Sequence, residues 1–286
     1  MKIYEKIVTE HNFYFETAER ETFVDEESVS VIRKQHYHNL FELYFLEEGT
    51  CKYFIDRYSY RIQAGDLVLI PQGVIHRTTY EKGKHRRHLI HLSCYDIPES
   101  VLPVLNSLRY VYRNPQTVET VQELFSRIGQ EYERKDAYSM EILAEYVRLL
   151  FFVIARHRPS DSAEISEHPY IESAVKYLQE HYAETLTLAH MAGLYAVSRE
   201  HFSRFFKRET GFGFHEYLTL LRLQKAEVML RDEMQKNISQ VAFATGFNDS
   251  NYFSERFRSE YGLSPLQYRR KYALQNEERN AKQKKK

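Results

Sequence analysis

Three histidines and one glutamate stand at spacings that could form a binding site. His36 and His38 are separated by one residue, so in a strand both side chains lie on the same face. With Glu42 and His76 they could supply three neutral imidazoles and a carboxylate, a ligand set suited to Zn, Fe, Ni or Mn. The same groups could instead hydrogen-bond to one another and line a metal-free pocket for a small polar effector, or merely fill a core.

Aromatic residues are dense around these polar groups, and most of them are expected to fill a core. Tyr44 or Tyr53 could also cover the apolar face of a sugar ring or a similar small ligand. We assign effector binding to His36, His38, Glu42, Tyr44 and His76, and the alternative metal site to His36, His38, Glu42 and His76. No role is assigned to His85, His88 or His91.

A second group of polar residues belongs to a sequence that occurs twice in the C-terminal part of the chain. The copy that begins at Leu188 parallels the copy that begins at Ile238, and Gly211 and Gly262 close the two copies. Each copy predicts a scaffold helix, a short turn and a second helix, which is the form of a helix-turn-helix. In the first turn Ala196 would cost about 1 kcal/mol if the backbone there has positive φ.

The second helices are predicted over 199–210 and 250–261, after N-caps at Ser198 and at Asn248 or Asp249. A linking helix is predicted over 213–231. Buried positions of the first copy are predicted at Phe202, Phe205 and Phe206. The outward-facing residues, which we assign to DNA binding, are Arg199, Glu200, Ser203, Arg204 and Lys207 in the first copy and Ser250, Asn251, Ser254, Glu255 and Arg258 in the second.

The part of the chain before the repeat is predicted to contain strands and then two helices. Short runs rich in β-branched and aromatic residues predict strands at 29–34, 41–46, 51–55, 58–63, 66–70 and 88–93. Many short strands at such spacing favour a closed or nearly closed barrel. Two helices are predicted within 115–157, and residues 142–154 are apolar around more than half of the helix, a surplus that favours a homodimer.

The predicted fold class is therefore α+β and multidomain, with an N-terminal β-barrel, two connector helices and a C-terminal all-α double helix-turn-helix. The predicted boundaries are 1–96 for the barrel, 97–158 for the connector and dimerisation helices, 159–168 for a linker, 169–274 for the double helix-turn-helix and 275–286 for a basic polar tail.

The C-terminal part contains several spaced motifs, among them Gly246-Phe247, Ser264-Pro265 and Tyr268-Arg269. These motifs occur in the same order in the AraC/XylS family of bacterial transcription regulators, which residues 171–272 resemble. The resemblance implies two helix-turn-helix units on one linking helix, with each second helix in the major groove of successive turns of DNA. It places base contacts at Glu200, Ser203 and Arg204 in the first copy and at Ser250, Asn251, Ser254 and Glu255 in the second.

The N-terminal part resembles the cupin barrel. His36, His38, Glu42 and Gly49 have the spacing of the first cupin motif, although its leading glycine is absent. Gly65, Pro71, Gly73 and His76 repeat the spacing of the second motif, with Tyr80 where an asparagine is usual. The layout resembles the sugar-sensing domains that are fused to regulators of this family.

Composition indicates a globular protein, and the distribution of charge differs between the two parts of the chain. Hydrophobic residues make up 43% of the chain and charged residues 28%, which is typical of a globular protein. The formal net charge is zero, but residues 165–286 hold 19 Lys or Arg and 15 Asp or Glu, a net charge of +4. The remainder therefore has a net charge of −4, and this asymmetry favours nucleic acid binding by the C-terminal part.

The sequence also indicates where the protein acts. Two cysteines cannot form a disulfide framework, and the charged N-terminus has no apolar segment typical of a signal peptide. The longest strongly apolar run, 149–155, is much shorter than the roughly 20 residues of a membrane span. We expect a cytoplasmic protein without membrane association.

The predicted function is that of a sequence-specific transcriptional regulator that responds to a small molecule, with a sugar as the suggested effector. The expected partners are double-stranded DNA, a carbohydrate-like effector and a second copy of the chain, and activation, the commoner behaviour in the family, would add RNA polymerase. We expect no enzymatic activity and no cofactor. The alternatives are a metal-dependent cupin enzyme, with a divalent metal as cofactor, and a constitutive DNA-binding protein whose barrel is structural.

Overall fold

The chain divides into two compact units, an N-terminal unit, Met1–Glu167, and a C-terminal unit, His168–Lys286. The computed structural model of the protein describes residues 14–22, 40–92, 97–107, 110–157 and 169–273. The predicted strand at 29–34, the predicted linker and the predicted tail lie outside the described residues.

Within the described residues the N-terminal unit has eight strands in two antiparallel sheets. The strands are β1 (Tyr14–Thr22), β2 (Phe41–Glu48), β3 (Thr50–Ile55), β4 (Tyr58–Gln63), β5 (Leu67–Ile70), β6 (His76–Tyr80), β7 (Gly83–Leu92) and β8 (Val111–Tyr112). One sheet has the strand order β1-β7-β2-β5-β8 and the other has the order β4-β3-β6. The two sheets share one apolar core, to which Tyr44 and Leu89 contribute from the first sheet and Tyr53 and Ile62 from the second.

Side chains of the five-stranded sheet alternate between this inner core and a second, outer core. Along β2, Tyr44 and Leu46 belong to the inner core, whereas Leu43 and Phe45 belong to the outer core. β7 continues the pattern, because Ile90 packs in the outer core. Both faces of the five-stranded sheet are therefore covered by apolar cores. Any polar side chain on its inner face is buried as a result.

Helices cover the outer face of the five-stranded sheet. After a short 3-10 turn, Glu99–Val101, the helices are α1 (Leu102–Ser107), α2 (Val118–Arg134) and α3 (Ser139–Arg156). The ring of Phe125 from α2 stacks on Phe45 at 5.2 Å between centroids, and Phe151 from α3 meets Phe41 edge-on at 6.0 Å. Each fully buried phenylalanine contributes about 1.5–3 kcal/mol through loss of apolar surface from water, so these contacts hold the helices on the sheet.

The strand predictions at 41–46, 51–55, 58–63 and 66–70 correspond to β2, β3, β4 and β5, and the prediction at 88–93 corresponds to the second half of β7. The strand prediction missed β1, β6 and the first half of β7. These segments contain many charged and polar residues and lack the apolar runs on which the prediction relied. β8 lies in the stretch that was predicted as connector and pairs with β5, so this stretch also supplies an edge strand.

The C-terminal unit is helical throughout its described part. Its helices are α4 (Pro169–His181), α5 (Leu188–Leu194), α6 (Arg199–Thr210), α7 (Phe214–Asp232), α8 (Ile238–Ala244), α9 (Ser250–Tyr261) and α10 (265–273). The predicted second helices coincide with α6 and α9. The hydroxyl of Ser198 accepts from the backbone N–H of His201 at 3.1 Å, and Asp249, rather than Asn248, caps α9 by accepting from the N–H of Tyr252 at 2.6 Å.

One predicted core position in α6 is wrong. Phe202 and Phe206 are fully buried, but Phe205 is only partly buried. Its ring lies 5.3 Å from Tyr170 and is covered by the guanidinium of Arg208 at 4.7 Å. Phe202 and Phe206 are one helical turn apart and lie on the same face of α6, whereas Phe205 lies at the edge of that face, against Tyr170 of α4.

The two turns of the repeat have the same backbone geometry with different residues. Ala196 has φ of 53° and the equivalent Gly246 has φ of 86°. In both turns the next residue donates its N–H to the carbonyl of a buried alanine, Ala192 or Ala242, at 3.1 and 3.0 Å. The positive φ that the sequence suggested for Ala196 is therefore present, and it strains a residue with a Cβ.

These two turns predict opposite effects of exchanging alanine and glycine. Ala196→Gly should raise the free energy of unfolding by about 0.5–1 kcal/mol, because relief of left-handed strain exceeds the entropy that glycine loses. Gly246→Ala should lower it by about 2 kcal/mol or more, because the new Cβ would also lie 2.8 Å from the carbonyl oxygen of Tyr182 and 2.9 Å from that of Ala183. Urea unfolding of the full chain measures both changes, and equal effects of the two substitutions would contradict this account of the turns.

Candidate functional site

The residues predicted to contact DNA lie on outward faces of α6 and α9. Exposed positions are Arg199, Glu200, Arg204 and Lys207 on α6 and Asn251, Glu255 and Arg258 on α9, while Ser203, Ser250 and Ser254 are partly exposed. The helices are held from behind by Phe202 and Phe206 in the first copy and by Phe253 and Phe257 in the second, all fully buried. Each helix thus packs its aromatic face in the core and has its polar face exposed to solvent.

The two faces differ in charge at equivalent positions. Arg204 on α6 corresponds to Glu255 on α9, and Arg199 corresponds to Ser250. A guanidinium can donate two hydrogen bonds to a guanine, whereas a carboxylate can accept only from a cytosine amino group and repels phosphate. The outward face of α6 is therefore more positively charged than that of α9.

Two of the predicted base-reading residues are partly engaged within their own helices. The hydroxyl of Ser254 donates to the carbonyl of Ser250 at 2.8 Å. The pKa of Glu200 is lowered by hydrogen bonds to its own backbone N–H and to Ser198 at the N-terminus of α6. Glu200 thus stabilises the start of the helix, and its base contact stays a prediction.

In the N-terminal unit, Glu42 is the centre of a buried polar cluster. Its side chain is 5% exposed. Tyr53 donates its hydroxyl proton to Oε1 at 2.7 Å, and His91 donates from Nε2 to Oε2 at 2.8 Å. Nε2 of His76 lies 3.6 Å from the same Oε2. The fold thus brings together Glu42 and His76, two of the predicted effector residues, from different sheets.

The Glu42 carboxylate controls the protonation of His76. Burial by itself lowers the pKa of a histidine, but the charge of Glu42 and its hydrogen bond to the ring outweigh burial, and the pKa of His76 is raised. Nδ1 of His76 lies 2.7 Å from the carbonyl oxygen of Val74, which fixes the orientation of the ring.

Tyr44, the third described member of the predicted effector set, lies beside this cluster. Its hydroxyl is 3.4 Å from that of Tyr80 and 3.6 Å from Sγ of Cys51. Burial raises the pKa of Tyr44 well above its usual value, so the hydroxyl stays protonated. Its ring meets Tyr53 edge-on at 5.1 Å between centroids.

The remaining two predicted residues, His36 and His38, lie outside the described residues. Among the residues that are described, no group of three or more histidines, cysteines, aspartates or glutamates is arranged to hold a metal ion. Glu42 and Nε2 of His76 lie within ion-pair distance, and the described contacts of Glu42 are those of a hydrogen-bonded network.

The inner face of β7 supplies polar residues that the sequence analysis left without a role. His91 contacts Glu42 directly, and Arg87 donates from Nη2 to Oε1 of Glu16 on β1 at 2.8 Å. His85 is also buried on this face. Alternation places residues 85, 87 and 91 on one face of the strand, but only the register with β1 and β2 makes that face the inner one.

His88 belongs to the opposite face of β7 and to a different network. Its Nε2 donates to Oε2 of Glu47 on β2 at 2.7 Å, and its Nδ1 lies 2.9 Å from the hydroxyl of Thr17 on β1. Oε1 of Glu47 also accepts from the side-chain amide of Gln122 on α2 at 2.8 Å. The outer-face network of Thr17, Glu47, His88 and Gln122 thus links three strands to a helix.

Comparison with known proteins shows two matching families. The model described as an AraC-like ligand binding domain matches residues 29–171, half of the chain. The model described as a helix-turn-helix domain matches residues 191–271. In the part of the chain that the structure describes, no helix is long and apolar enough to cross a membrane.

Similar proteins include transcriptional activators over nearly their full length. The chain is 27% identical over 269 residues to the HTH-type transcriptional activator RhaR of Pectobacterium atrosepticum, covering 91% of this chain and 94% of that protein. It is 26% identical over 246 residues to the HTH-type transcriptional activator RhaS of Escherichia fergusonii, covering 82% and 87%. Among solved structures, the C-terminal domain of AraT, a response regulator from Geobacillus stearothermophilus, is 34% identical over 37% of this chain and 88% of that chain, with a TM-score of 0.35.

A glutamate on α9 makes the stability of the C-terminal unit depend on pH. Burial raises the pKa of Glu260 to about 7, against a lowering by Arg256 and with a further increase from Glu216. Since the folded-state pKa exceeds the unfolded value, the favourable contribution of the protonated form is complete below pH 4.5 and is lost as the pH rises through 7.

Glu260→Gln should therefore raise the free energy of unfolding by about 1–2 kcal/mol at pH 8 and by little at pH 4.5. Urea unfolding of the full chain at both pH values measures the difference. Glu255→Gln, on the exposed face of the same helix, is the control and should show no such gain. A gain for Glu260→Gln that is equal at both pH values would contradict the assignment.

Proposed function

Because the chain belongs to the AraC family of transcriptional regulators, we propose that it binds specific duplex DNA through α6 and α9 and that a small molecule controls this binding. The observation that carries the proposal is the repeated, capped helix with a polar outward face on a buried aromatic core. The names of its relatives, which are transcriptional activators, support activation with RNA polymerase as a further partner.

The DNA contacts would be unequal between the two helices. Arg199, Arg204 and Lys207 give α6 a cationic face for bases and phosphates. On α9, Glu255 lies beside Asn251 and Arg258, so this helix would bind phosphate less strongly and depend more on the base sequence. The first copy would supply most of the affinity.

The effector would bind in the inner core of the N-terminal unit, near Glu42, Tyr44 and His76. A carboxylate, imidazoles and tyrosine hydroxyls are suited to a ligand that carries hydroxyl groups, and aromatic rings can cover its apolar face. A sugar has both features. His36 and His38 remain predicted members of this site.

Effector binding would reach the helices through the outer-face network. Thr17, Glu47 and His88 stand on the strands whose opposite face lines the inner core, and Gln122 stands on α2. A small shift of β7 relative to β2 would therefore change hydrogen bonds at α2. Such a change alters the equilibrium between two states only if the effector binds one of them more tightly.

The last connector helix, α3, would form the homodimer contact. Leu149 and Phe152 on α3 are 48% and 40% exposed, although they are large and apolar and lie within one turn of each other. Exposed apolar side chains at this spacing are typical of a helix face that packs on a partner.

The competing function is a metal-dependent enzyme of the cupin type, with Glu42, His76, His36 and His38 as ligands. The homologous regulators favour a protein without catalytic activity, and a regulator of this kind would act in the cytoplasm. Metal analysis of protein purified without added metal separates the two, since stoichiometric Fe, Mn, Ni or Zn would favour the enzyme.

The proposed DNA contact of Arg204 is tested by Arg204→Ala in the full chain. On a duplex selected from a random library by the wild-type protein, the substitution should weaken binding by about 1–3 kcal/mol, because a bidentate contact to guanine is lost. Lys176→Ala, an exposed cation on α4, is the control and should have little effect. Fluorescence anisotropy measures both, and failure of the wild-type chain to bind any duplex would refute the proposed function.

The role of Glu255 is tested by Glu255→Gln in the same assay. Removal of one negative charge from the phosphate field should strengthen binding to random duplex DNA, most clearly at low salt. If Glu255 accepts from a cytosine, preference at one base pair should also be relaxed. Unchanged affinity for both kinds of DNA would place Glu255 away from the interface.

The dimer contact is tested by Leu149→Asp. Light scattering of the wild-type chain should give twice the monomer mass of 34.3 kDa, whereas the variant should give the monomer mass, because burial of a carboxylate in an apolar contact is costly. Arg148→Ala, at the preceding exposed position, is the control and should remain dimeric. A monomeric wild-type chain at tens of micromolar would rule out this contact.

A further inference from the structure

Among the buried polar atoms on the inner face of β7 that have no hydrogen-bond partner in the described part of the chain are Nη1 of Arg87 and Nδ1 of His85. Arg87 is 5% exposed and His85 is 2% exposed. Because the two residues are separated by one position in a strand, their side chains lie on the same face. Such orphaned atoms are rare in native cores and indicate a missing partner.

Arg87 supplies a donor. Its Nη2 is already engaged with Oε1 of Glu16 at 2.8 Å, which balances its charge and leaves Nη1 to donate to something else. Burial lowers the pKa of an arginine, but Tyr80 and Glu16 outweigh burial, so the pKa of Arg87 is raised and the guanidinium remains charged. The missing partner of Nη1 must therefore be an acceptor oxygen or nitrogen.

His85 supplies an acceptor. Its Nε2 lies 2.9 Å from the carbonyl oxygen of Thr50. A carbonyl can only accept, so Nε2 donates this hydrogen bond, and Nδ1 is the ring nitrogen that can accept one. The missing partner of Nδ1 must therefore be a donor.

Tyr80 contacts both His85 and Tyr44, so the two atoms lie near the predicted effector residues. Its ring lies 5.0 Å from that of His85 between centroids, and its hydroxyl lies 3.4 Å from that of Tyr44. The phenol of Tyr80 is also one of the groups that stabilise the charge of Arg87. The orphaned atoms thus adjoin the inner core rather than the outer surface of the sheet.

Charge balance within this core favours a neutral ligand. Arg87 is neutralised by Glu16, and Glu42 accepts from Tyr53 and His91. A ligand anion would add a buried negative charge next to two carboxylates, which is costly without a further cation. A hydroxyl group adds no charge and can both donate and accept.

We propose that His85 and Arg87 form a subsite for a neutral, hydroxyl-rich ligand of monosaccharide size. One ligand oxygen accepts from Nη1 of Arg87, and another ligand hydroxyl donates to Nδ1 of His85. Residues two apart in a strand are separated by about 6.6 Å, a distance that two hydroxyls of one sugar ring can span. This assignment rests on the proposed function, because it places the effector in the same inner core.

The test is titration calorimetry of the full chain with neutral pentoses, hexoses and 6-deoxyhexoses, and with glucuronate and galacturonate as matched acids. Arg87→Lys keeps a cation beside Glu16 but loses the guanidinium fork. His85→Gln keeps a donor for Thr50 but loses the acceptor at Nδ1. Each should weaken binding of the neutral sugar by about ten- to a hundredfold, the loss expected for one charged or buried hydrogen bond. Arg86→Lys is the matched control, because Arg86 is on the outer face with Glu19 and Glu47, and it should bind as the wild type does.

The outcomes separate this subsite from the proposed function. Weaker sugar binding in both variants but not in the control, with unchanged thermal unfolding, supports the subsite. Unchanged sugar binding in both variants, preference for the acids, or no binding of any neutral sugar overturns it. DNA binding measured on the same samples tests the proposed function independently, since a regulator whose ligand binds elsewhere still binds DNA and still responds to that ligand.

Discussion

The pairing register between β2 and β7 decides which side chains face the inner core of the N-terminal unit. It sets Glu42 opposite His91 and Leu43 opposite Ile90, so that Glu42 and His91 face inward while Leu43 and Ile90 face the helices. A slip of one residue would move Glu42 into the outer core, where a buried carboxylate without a partner costs several kcal/mol. The stack of Phe45 on Phe125 opposes such a slip, because it requires Phe45 to face outward. The register is therefore held by apolar packing on one face, and it positions polar chemistry on the other.

Burial of a polar side chain in the inner core lowers the stability of the fold unless the side chain has a hydrogen-bond or ion-pair partner. Glu42 is matched by Tyr53 and His91, and Arg87 is matched in part by Glu16. Replacing such groups with apolar residues is often neutral or stabilising, so buried polar groups are weak evidence for stability alone. Their presence between two sheets, with donor and acceptor capacity left over at Arg87 and His85, is more consistent with a ligand than with a purely structural core. The outer-face network at His88 and Gln122 then gives strand movements a direct connection to α2.

The C-terminal unit shows how duplication preserves backbone geometry while side-chain chemistry changes. Both turns have positive φ and the same hydrogen bond to a buried alanine, although one has Ala196 and the other Gly246. Glycine is needed at position 246 because the carbonyls of Tyr182 and Ala183 approach closely, whereas Ala196 costs only local strain. The outward faces are less constrained, since their side chains are exposed or partly exposed. They could therefore become cationic on α6 and mixed in charge on α9.

The sequence by itself determined the helical repeat, the bounds of α6 and α9, and the family, because helix periodicity, caps and glycine turns are local signals. Spacing and resemblance also predicted that Glu42 and His76 lie in one polar cluster, and the fold brings their side chains within 3.6 Å of each other. Only the tertiary structure decided that His91 and Arg87 face the same core and that His88 does not. It likewise decided that Phe205 is partly exposed. The physical reason is that strand pairing joins residues far apart in the chain, and the face of a polar strand such as β7 depends on its register with β1 and β2, which no local pattern records.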